Sequence, residues 1–507
     1  MIVPFPEHHR KYWVLTGVSI ASFLGCIDFT IVNTALPAIR ADLHATVSEL
    51  QCIINIFLLA LSAFMVVMGR IADMYGRRRT LYLGAIGFGV ASLAAGIATD
   101  ITWLIGFRLL QGICCAVLYT ASGTIVSHAF PEQERGTAIG LLFGANGMGL
   151  ALGPVAGGFI VSLLGWRWIF LINVPLILLS LLICLVSVKE SSSPESGSKL
   201  DWAGLTLLIT GLSSGILGLS QGAAWGWLTP LTLGVFALSA LALIGFYKVE
   251  QGVDSPILQF HLFANRTFVA AAIANAALAF FYCLAFFLMP LYLHTIKGLQ
   301  AYQIGLMLLP TTATVALLSP VVGRLTDRIG VKPLLVGGFA LFALSALLQA
   351  LFSEHTSLTD IAIAFVLMGM GWACVLGPAT VAALSAVPHS MSAVAIGSSW
   401  TVHNIGGAVG LAFGVLVYQA RATRSLLQNL TALSMSRGPW VAHLIADPET
   451  AISSLRQHTG LAPQSALAVF HTFFIDGYRA SMWLLGGVSG LTLCTLLIVL
   501  DGRRVAQ

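Results

Sequence analysis

The chain has 507 residues, 57% hydrophobic and 9% charged, with a formal net charge of +5 and a mean hydropathy of +0.91. A surface facing water needs Lys, Arg, Asp and Glu, so this poverty of charge excludes a soluble protein. The apolar runs are continuous over about twenty residues, long enough to cross a bilayer as helices, and they lack the alternation of a membrane β-barrel. The expected fold class is an all-α integral membrane protein.

Fourteen spanning helices are predicted, over 12–36, 48–71, 80–98, 101–126, 137–164, 168–188 and 203–223, then 228–248, 267–294, 303–325, 333–352, 358–386, 392–418 and 477–500. Trp13, Trp103, Trp166, Trp168, Trp202, Trp225 and Trp227 fall at the ends of these runs, as interfacial anchors do. The short lead before the first run carries no small-residue cleavage site, so the first helix is expected to be retained. All eight cysteines sit in or beside apolar runs without metal or redox spacing, and are expected to be small packing groups with no metal.

Helix 1 closes on Cys26-Ile27-Asp28-Phe29-Thr30-Ile31-Val32-Asn33-Thr34-Ala35-Leu36-Pro37. Asp28 lies about 12 Å from the far end of that run at 1.5 Å per residue. A charge there costs about 2.5–3.5 kcal/mol, so an acid kept at this depth is expected to bind something. Arg108 lies about 11 Å into helix 4, at a similar depth. A buried arginine needs an anionic or carbonyl partner. Asp28 and Arg108 therefore either form a static pair or one whose strength depends on protonation.

With the N-terminus inside, sixteen of the 25 basic residues fall on the cytoplasmic side, which predicts cytoplasmic termini and a cytoplasmic membrane location. A frame repeats within the chain. Gly69-Arg70-Ile71-Ala72-Asp73-Met74-Tyr75-Gly76-Arg77-Arg78 follows helix 2, and Gly323-Arg324-Leu325-Thr326-Asp327-Arg328-Ile329-Gly330-Val331-Lys332 follows helix 10. Helix 5 carries Gly149, Gly153 and Gly157, and helix 13 carries Gly406, Gly410 and Gly414. These echoes predict two six-helix units, 1–188 and 267–507, with linkers and an inserted helix pair in 189–266 and a long outer loop in 419–476. An Asp and two Gly at fixed places predict a latch built from Gly69, Asp73, Gly76, Arg77, Arg78, Gly323, Asp327, Arg328 and Gly330. The helix 5 glycines share one face and let another helix approach, while Pro154 frees a carbonyl and allows bending.

No phosphate-binding loop is present, because none of the six lysines follows a glycine. No hydrolase motif appears either, so neither an enzyme nor an ATP-driven pump is expected, and no cofactor is called for. The frame G-R-I-A-D-M-Y-G-R-R-R resembles the signature loop of the major facilitator superfamily. The run from Asp28 to Pro37, the run Gly149 to Gly158 and the run Gly165-Trp166-Arg167-Trp168-Ile169-Phe170-Leu171-Ile172-Asn173-Val174-Pro175 are similar to its fourteen-helix drug/proton antiporter branch. Arg108-Leu109-Leu110-Gln111-Gly112 resembles the helix 4 motif of proton-coupled members. The resemblance implies a multidrug exporter. It also makes Gly149, Gly153, Pro154, Gly157 and Gly158 an antiporter motif.

The expected cycle is exchange by competition. Ionised Asp28 attracts a cationic amphiphile, then takes a proton and releases it, with Arg108 beside it and both facing a central cavity. Asn33, Gln111, Asn275, Tyr282, Trp372, Trp400, His403 and Asn404 are the candidate cavity-lining residues. The expected partners are the bilayer, small-molecule cargo and protons, without nucleic acid, and a periplasmic adaptor cannot be read from the sequence. An exporter of one metabolite and a non-transporting sensor on the same scaffold are the alternatives.

Overall fold

Inside lipid a chain satisfies its own backbone polar groups by coiling, and each of the fourteen predicted segments coincides with helix. The computed structural model describes residues 7–45, 47–190, 201–253, 258, 260–388, 391–432 and 455–500. In chain order the helices are α1 (Glu7–Leu43), α2 (Val47–Tyr75), α3 (Arg77–Gly96), α4 (Ile101–Ala129) and α5 (Arg135–Leu164). There follow α6 (Trp168–Leu171), α7 (Asn173–Ser187), α8 (Trp202–Trp225), α9 (Pro230–Glu250) and α10 (Arg266–Thr295). The last five are α11 (Ala301–Ile329), α12 (Val331–Ala350), α13 (Leu358–Ser385), α14 (Ser392–Ala432) and α15 (Pro463–Val499). No strand occurs among the described residues.

The sixth predicted helix is split into α6 and α7, because Pro175 has no N–H to offer the carbonyl of Leu171. Asp100, Asn265 and Ser357 cap α4, α10 and α13 by accepting backbone N–H groups of their first turns. Among the described residues, twelve helices are long and apolar enough to span a membrane, or thirteen if the two arms of α5 count as one span. Those arms meet at 47° around Pro154. The helix that falls short is α3, which opens on Arg77, Arg78 and Arg79.

One expectation is corrected. The outer loop is narrower than 419–476, because α14 continues to Ala432 and α15 begins at Pro463. Ala422, Leu426 and Leu430 are buried in one cluster with Ala466, Phe470, Phe473 and Phe474, so the ends of both helices stay packed into the main core. Residues 433–454 of that loop and 191–200 of the linker lie outside the described residues.

The same pairing recurs in the two halves. In the first, α1 packs on α4, α5 and α7, and α2 on α4; in the second, α10 packs on α13, α14 and α15, and α11 on α13. The broadest contacts between the halves are α5 on α11 and α14 on α2, with lesser ones of α13 on α5 and α14 on α4, while α8 and α9 pair beside them with α8 touching α2 and α14. Glycine makes the tightest of these approaches. A Cβ at Gly153 would sit 1.8 Å from Thr30 Oγ1 on α1, and one at Gly410 would sit 2.5 Å from Phe280 Cα on α10. The other face of α5 closes on α11 in the same way, with Gly140 and Gly323 in backbone contact.

Candidate functional site

Three groups of predicted residues come together, each in a different place. The first surrounds Asp28, which is 0% exposed, with Arg108 at 1%. The Arg108 guanidinium donates to Asp28 Oδ2 through Nη1. Asn173 Nδ2 donates to Asp28 Oδ1 at 3.0 Å and Gln111 Nε2 donates to it at 3.4 Å. Gln111 Nε2 also reaches Ser92 Oγ at 2.8 Å, and Arg108 donates to the Gln111 side-chain oxygen at 3.0 Å and to the Ile53 carbonyl at 3.3 Å. The guanidinium lies over the Phe57 ring, 4.2 Å from its centroid.

Helices α1, α2, α3, α4 and α7 thus each give one group or more to a desolvated, neutral pair. Removing one partner of such a pair costs about 3–5 kcal/mol. The expectation that Asp28 and Arg108 face the central cavity does not hold in this conformation. All their partners belong to the first half, and none of them lines the cleft between the halves. The physical reason is satisfaction: a buried carboxylate and guanidinium are cheapest where every lone pair and N–H has a partner.

The second group is the set expected to form a latch, at the end of the bundle where α2 and α11 finish. Asp73 Oδ1 accepts from Arg77 Nε at 3.0 Å and Nη2 at 2.7 Å. Its Oδ2 accepts the Val394 N–H at 3.0 Å, at the start of α14 in the opposite half. Arg77, 2% exposed, also meets His128 Nε2 at 2.7 Å. In the second half Asp327 accepts the Gly136 N–H at 2.7 Å, the Thr137 N–H at 2.8 Å and the Thr137 hydroxyl at 2.7 Å, at the start of α5. Each acid therefore closes the positive end of a helix belonging to the other half.

Gly76 turns the chain at φ +102 and Gly330 at φ +82. Glu190 crowds Gly76 and accepts the N–H groups of Arg78 at 3.0 Å and Arg79 at 3.2 Å. Gly69 is buried on α2. Arg328 departs from the expected latch, since it is exposed. The residue that corresponds to Arg77 after Gly330 is Val331, so the second copy has no guanidinium for its acid and uses the Thr137 hydroxyl instead.

The third group lies between the halves. Tyr282 stacks on Trp372 at 4.5 Å and 16°, and its hydroxyl meets His403 Nε2 at 3.3 Å. His403 packs against Trp400 at 4.7 Å, and Trp400 stacks on Tyr119 of the first half at 5.8 Å and 17°. Tyr119, Phe143, Asn146 and Trp400 line a narrow cleft with room for about one water molecule. Trp372 Nε1, His403 Nδ1 and Asn146 Oδ1 are buried without a hydrogen-bond partner. An unmade hydrogen bond at such a group costs about 1–3 kcal/mol.

Two other candidates are internal ties. Asn275 donates to Ser399 Oγ at 2.7 Å, and Asn404 to Met65 Sδ at 3.4 Å. The side chains of Asn33 and Pro154 lie outside the described residues. Gly158 has nothing within 4 Å of where a Cβ would stand, unlike Gly149, Gly153 and Gly157. The residue-level reading missed Ser92, Asn173, Tyr119, Asn146 and Glu190. Asn173 had a visible signal in its place beside Pro175; the others are single polar residues in apolar or loop sequence.

At the opposite end from the latch, Arg167 Nη1 donates to Asp42 Oδ2 at 2.6 Å, and Trp166 Nε1 does so at 3.0 Å. These bonds hold the Asp42 carboxyl below the usual carboxylate range, with Arg167 the larger cause. Arg167 also reaches the Ala98 carbonyl at 3.2 Å, which ties the ends of α1 and α3 to the turn before α6.

Residues 18–411 match the family model described as Major Facilitator Superfamily. The chain is 29% identical over 483 residues to the tetracenomycin C resistance and export protein of Streptomyces glaucescens, covering 95% of this chain and 90% of that one. It is 30% identical over 478 residues to the multidrug resistance protein Stp of Mycobacterium tuberculosis, covering 92% and 88%. Among solved structures, a double-tryptophan mutant of XylE superposes with a TM-score of 0.65 at 14% identity, covering 98% of this chain and 97% of that one.

Proposed function

The chain belongs to the major facilitator superfamily, as a transporter rather than an enzyme, and from that premise we propose that it exports amphipathic organic compounds, cations among them, in exchange for protons. Relatives named for tetracenomycin C export and for multidrug resistance support the cargo class. In this reading the membrane is the cytoplasmic one, both termini are cytoplasmic and the latch is the cytoplasmic gate. Fourteen spans form two six-helix repeats, 1–188 and 267–507, around the inserted pair α8 and α9.

The observation that carries proton coupling is the sealed Asp28–Arg108 pair. Direct competition of cargo and proton for Asp28 has no support in this geometry, because Arg108 already covers the carboxylate. Coupling instead runs through packing. A proton on Asp28 removes half of the ion pair and frees Arg108, which changes how α1 sits on α4 and α7. Helix α5 carries that change outward, since its glycines press α1 on one side and α11 on the other. Because the latch acids close on the ends of α5 and α14, a shift of α5 loads or releases the latch.

The test is transport in proteoliposomes whose lumen is more acidic than the bath. The wild type is expected to concentrate a dye cation in the lumen only while the pH difference lasts. Asp28→Asn is expected to bind the dye and fail to concentrate it. Gradient-driven accumulation by Asp28→Asn at the wild-type rate rejects the coupling role.

A further inference from the structure

Resting on the reading that the residues around Asp73 form a cytoplasmic gate, we infer that His128, at the inner end of α4, is a positioning residue of that gate. Its neutral ring holds Arg77 against Asp73, and a proton on the ring loosens that hold. The gate thereby answers to cytoplasmic pH, separately from the proton carried at Asp28.

The two ring nitrogens have different partners. His128 Nδ1 lies 2.9 Å from the Thr124 carbonyl, which accepts an N–H, so the hydrogen of the neutral ring sits on Nδ1. Nε2 then carries the lone pair. It stands 2.7 Å from Arg77 Nη1, which also lies 3.3 Å from Nδ1, so the guanidinium rests against the ring. The other N–H groups of that guanidinium, on Nε and Nη2, donate to Asp73. Asp73 in turn accepts the Val394 N–H of the second half at 3.0 Å. One arginine, 2% exposed, thus joins an imidazole to the acid that bonds across the halves.

Within this chain of contacts the ring is the member a proton reaches. His128 is exposed, whereas Arg77 and Asp73 are buried. An imidazole ordinarily titrates at about pH 6.5. A proton on Nε2 removes an acceptor and sets a second positive charge against a desolvated guanidinium. The proton therefore favours the arrangement in which Arg77 has moved away, which is the open gate. The neighbouring charges do not titrate there. Arg135 donates to the Ser127 carbonyl at 3.3 Å and lies 3.9 Å from Glu132, while Lys11 pairs with Glu134 beside Phe130. Arg70 is buried one turn before Asp73 on α2. In the second copy of the frame the donors to Asp327 are two backbone N–H groups and a hydroxyl, which carry no titrating proton in this range. The sensitivity therefore belongs to the Asp73 side.

Spin labels at the exposed positions Arg79 and Arg328, on the full chain in lipid nanodiscs with equal pH on both faces, test this. In the wild type the longer-distance component is expected to grow about tenfold against the shorter one from about pH 8 to about pH 5.5. That is the scale of one lost hydrogen bond to a charged group. His128→Gln keeps a neutral acceptor and is expected to lose this step. Should His128→Gln fail to fold, His128→Lys, a fixed cation, is expected to be as open at about pH 8 as the wild type is at about pH 5.5. Asp327→Asn is expected to keep the step. A wild-type step within about twofold, a step of full size in His128→Gln, or a closed His128→Lys overturns the inference. Asp73→Asn separates the two readings at about pH 8. If it lengthens the distances while the wild type shows no step, the inference falls and the gate stands. If it leaves them unchanged, the gate reading falls and takes the inference with it.

Discussion

The carboxylate of Asp327, near the end of α11, accepts the backbone N–H of Gly136 at the start of α5 at 2.7 Å, so an acid of the second half closes a helix of the first. Asp73 repeats the arrangement in the other direction through Val394. The contact is therefore reciprocal, and neither half can swing away without exposing a helix end.

Asp327→Asn keeps the shape and removes the charge. Hydrogen bonds to charged groups contribute about 1.5–3 kcal/mol and a charge at a helix N-terminus about 0.3–1 kcal/mol, so the latch-open population should rise about tenfold. Pulsed electron resonance distances between spin labels at the exposed positions Arg79 and Arg328 will read this as growth of the longer-distance component. Asp73→Asn should open the latch further, since it also releases the buried Arg77. An unchanged distance distribution in both variants removes the latch role.

Stability separates a structural pair from a coupling pair at Asp28 and Arg108. Arg108→Ala leaves a buried carboxylate without its cation and is expected to lose about 3–5 kcal/mol, read as a lower melting temperature in detergent. The double variant Asp28→Asn, Arg108→Met removes both charges and should recover most of that loss. Gradient-driven transport should stay absent in all of these variants. A double variant that regains transport along with stability would make the pair a scaffold and nothing more.

Much of this was legible in sequence because the signals are local. Continuous apolar runs marked the helices, and the repeated frame marked Asp73 and Asp327, which bond across the halves. A lone acid in helix 1 and a lone arginine in helix 4 at matching depth pointed to each other. What failed depended on direction rather than position. Nothing in the order of residues says that Asp28 turns toward α7 and away from the cleft, since both sides of α1 are buried. Nor does it say that Tyr282, Trp372, Trp400 and His403, spread over three helices, meet in one array. Arg328 was grouped with the latch by its neighbours, although Val331 stands where the working arginine of the first copy does.

Acid should weaken the clamp between Asp42 and Arg167. The Arg167 guanidinium, and after it Trp166, depress the folded value of the Asp42 carboxyl. A carboxyl depressed on folding contributes stability at every pH above its unfolded value, and loses that contribution as pH falls through its folded value. Melting temperatures of wild type and Asp42→Asn from about pH 7 down to about pH 3 should therefore differ by a small, constant amount at first and then converge at the acid end. A gap that opens on acidification would have the wrong sign and would reject the assignment.

The glycines of α5 allow a sharper comparison, because neighbours in one motif have opposite surroundings. A Cβ at Gly153 would stand 1.8 Å from Thr30 Oγ1, and one at Gly157 would stand 2.3 Å from Thr34 Oγ1. Rotating the Thr30 hydroxyl does not clear the site, because Thr30 Cβ would still stand 2.8 Å from the added carbon, so Gly153→Ala should force the helices apart at about 1–3 kcal/mol. At Gly158 no atom lies within 4 Å of the added Cβ. Gly158→Ala should keep wild-type transport and gain slightly in stability, as alanine does over glycine within a helix, by about 0.5–1 kcal/mol. Melting temperature and gradient-driven uptake, measured on both variants, check the pair. Equal loss at the two positions would mean that the motif acts through chain flexibility, and would detach α5 from its proposed place as the connection between the Asp28 pair and the latch.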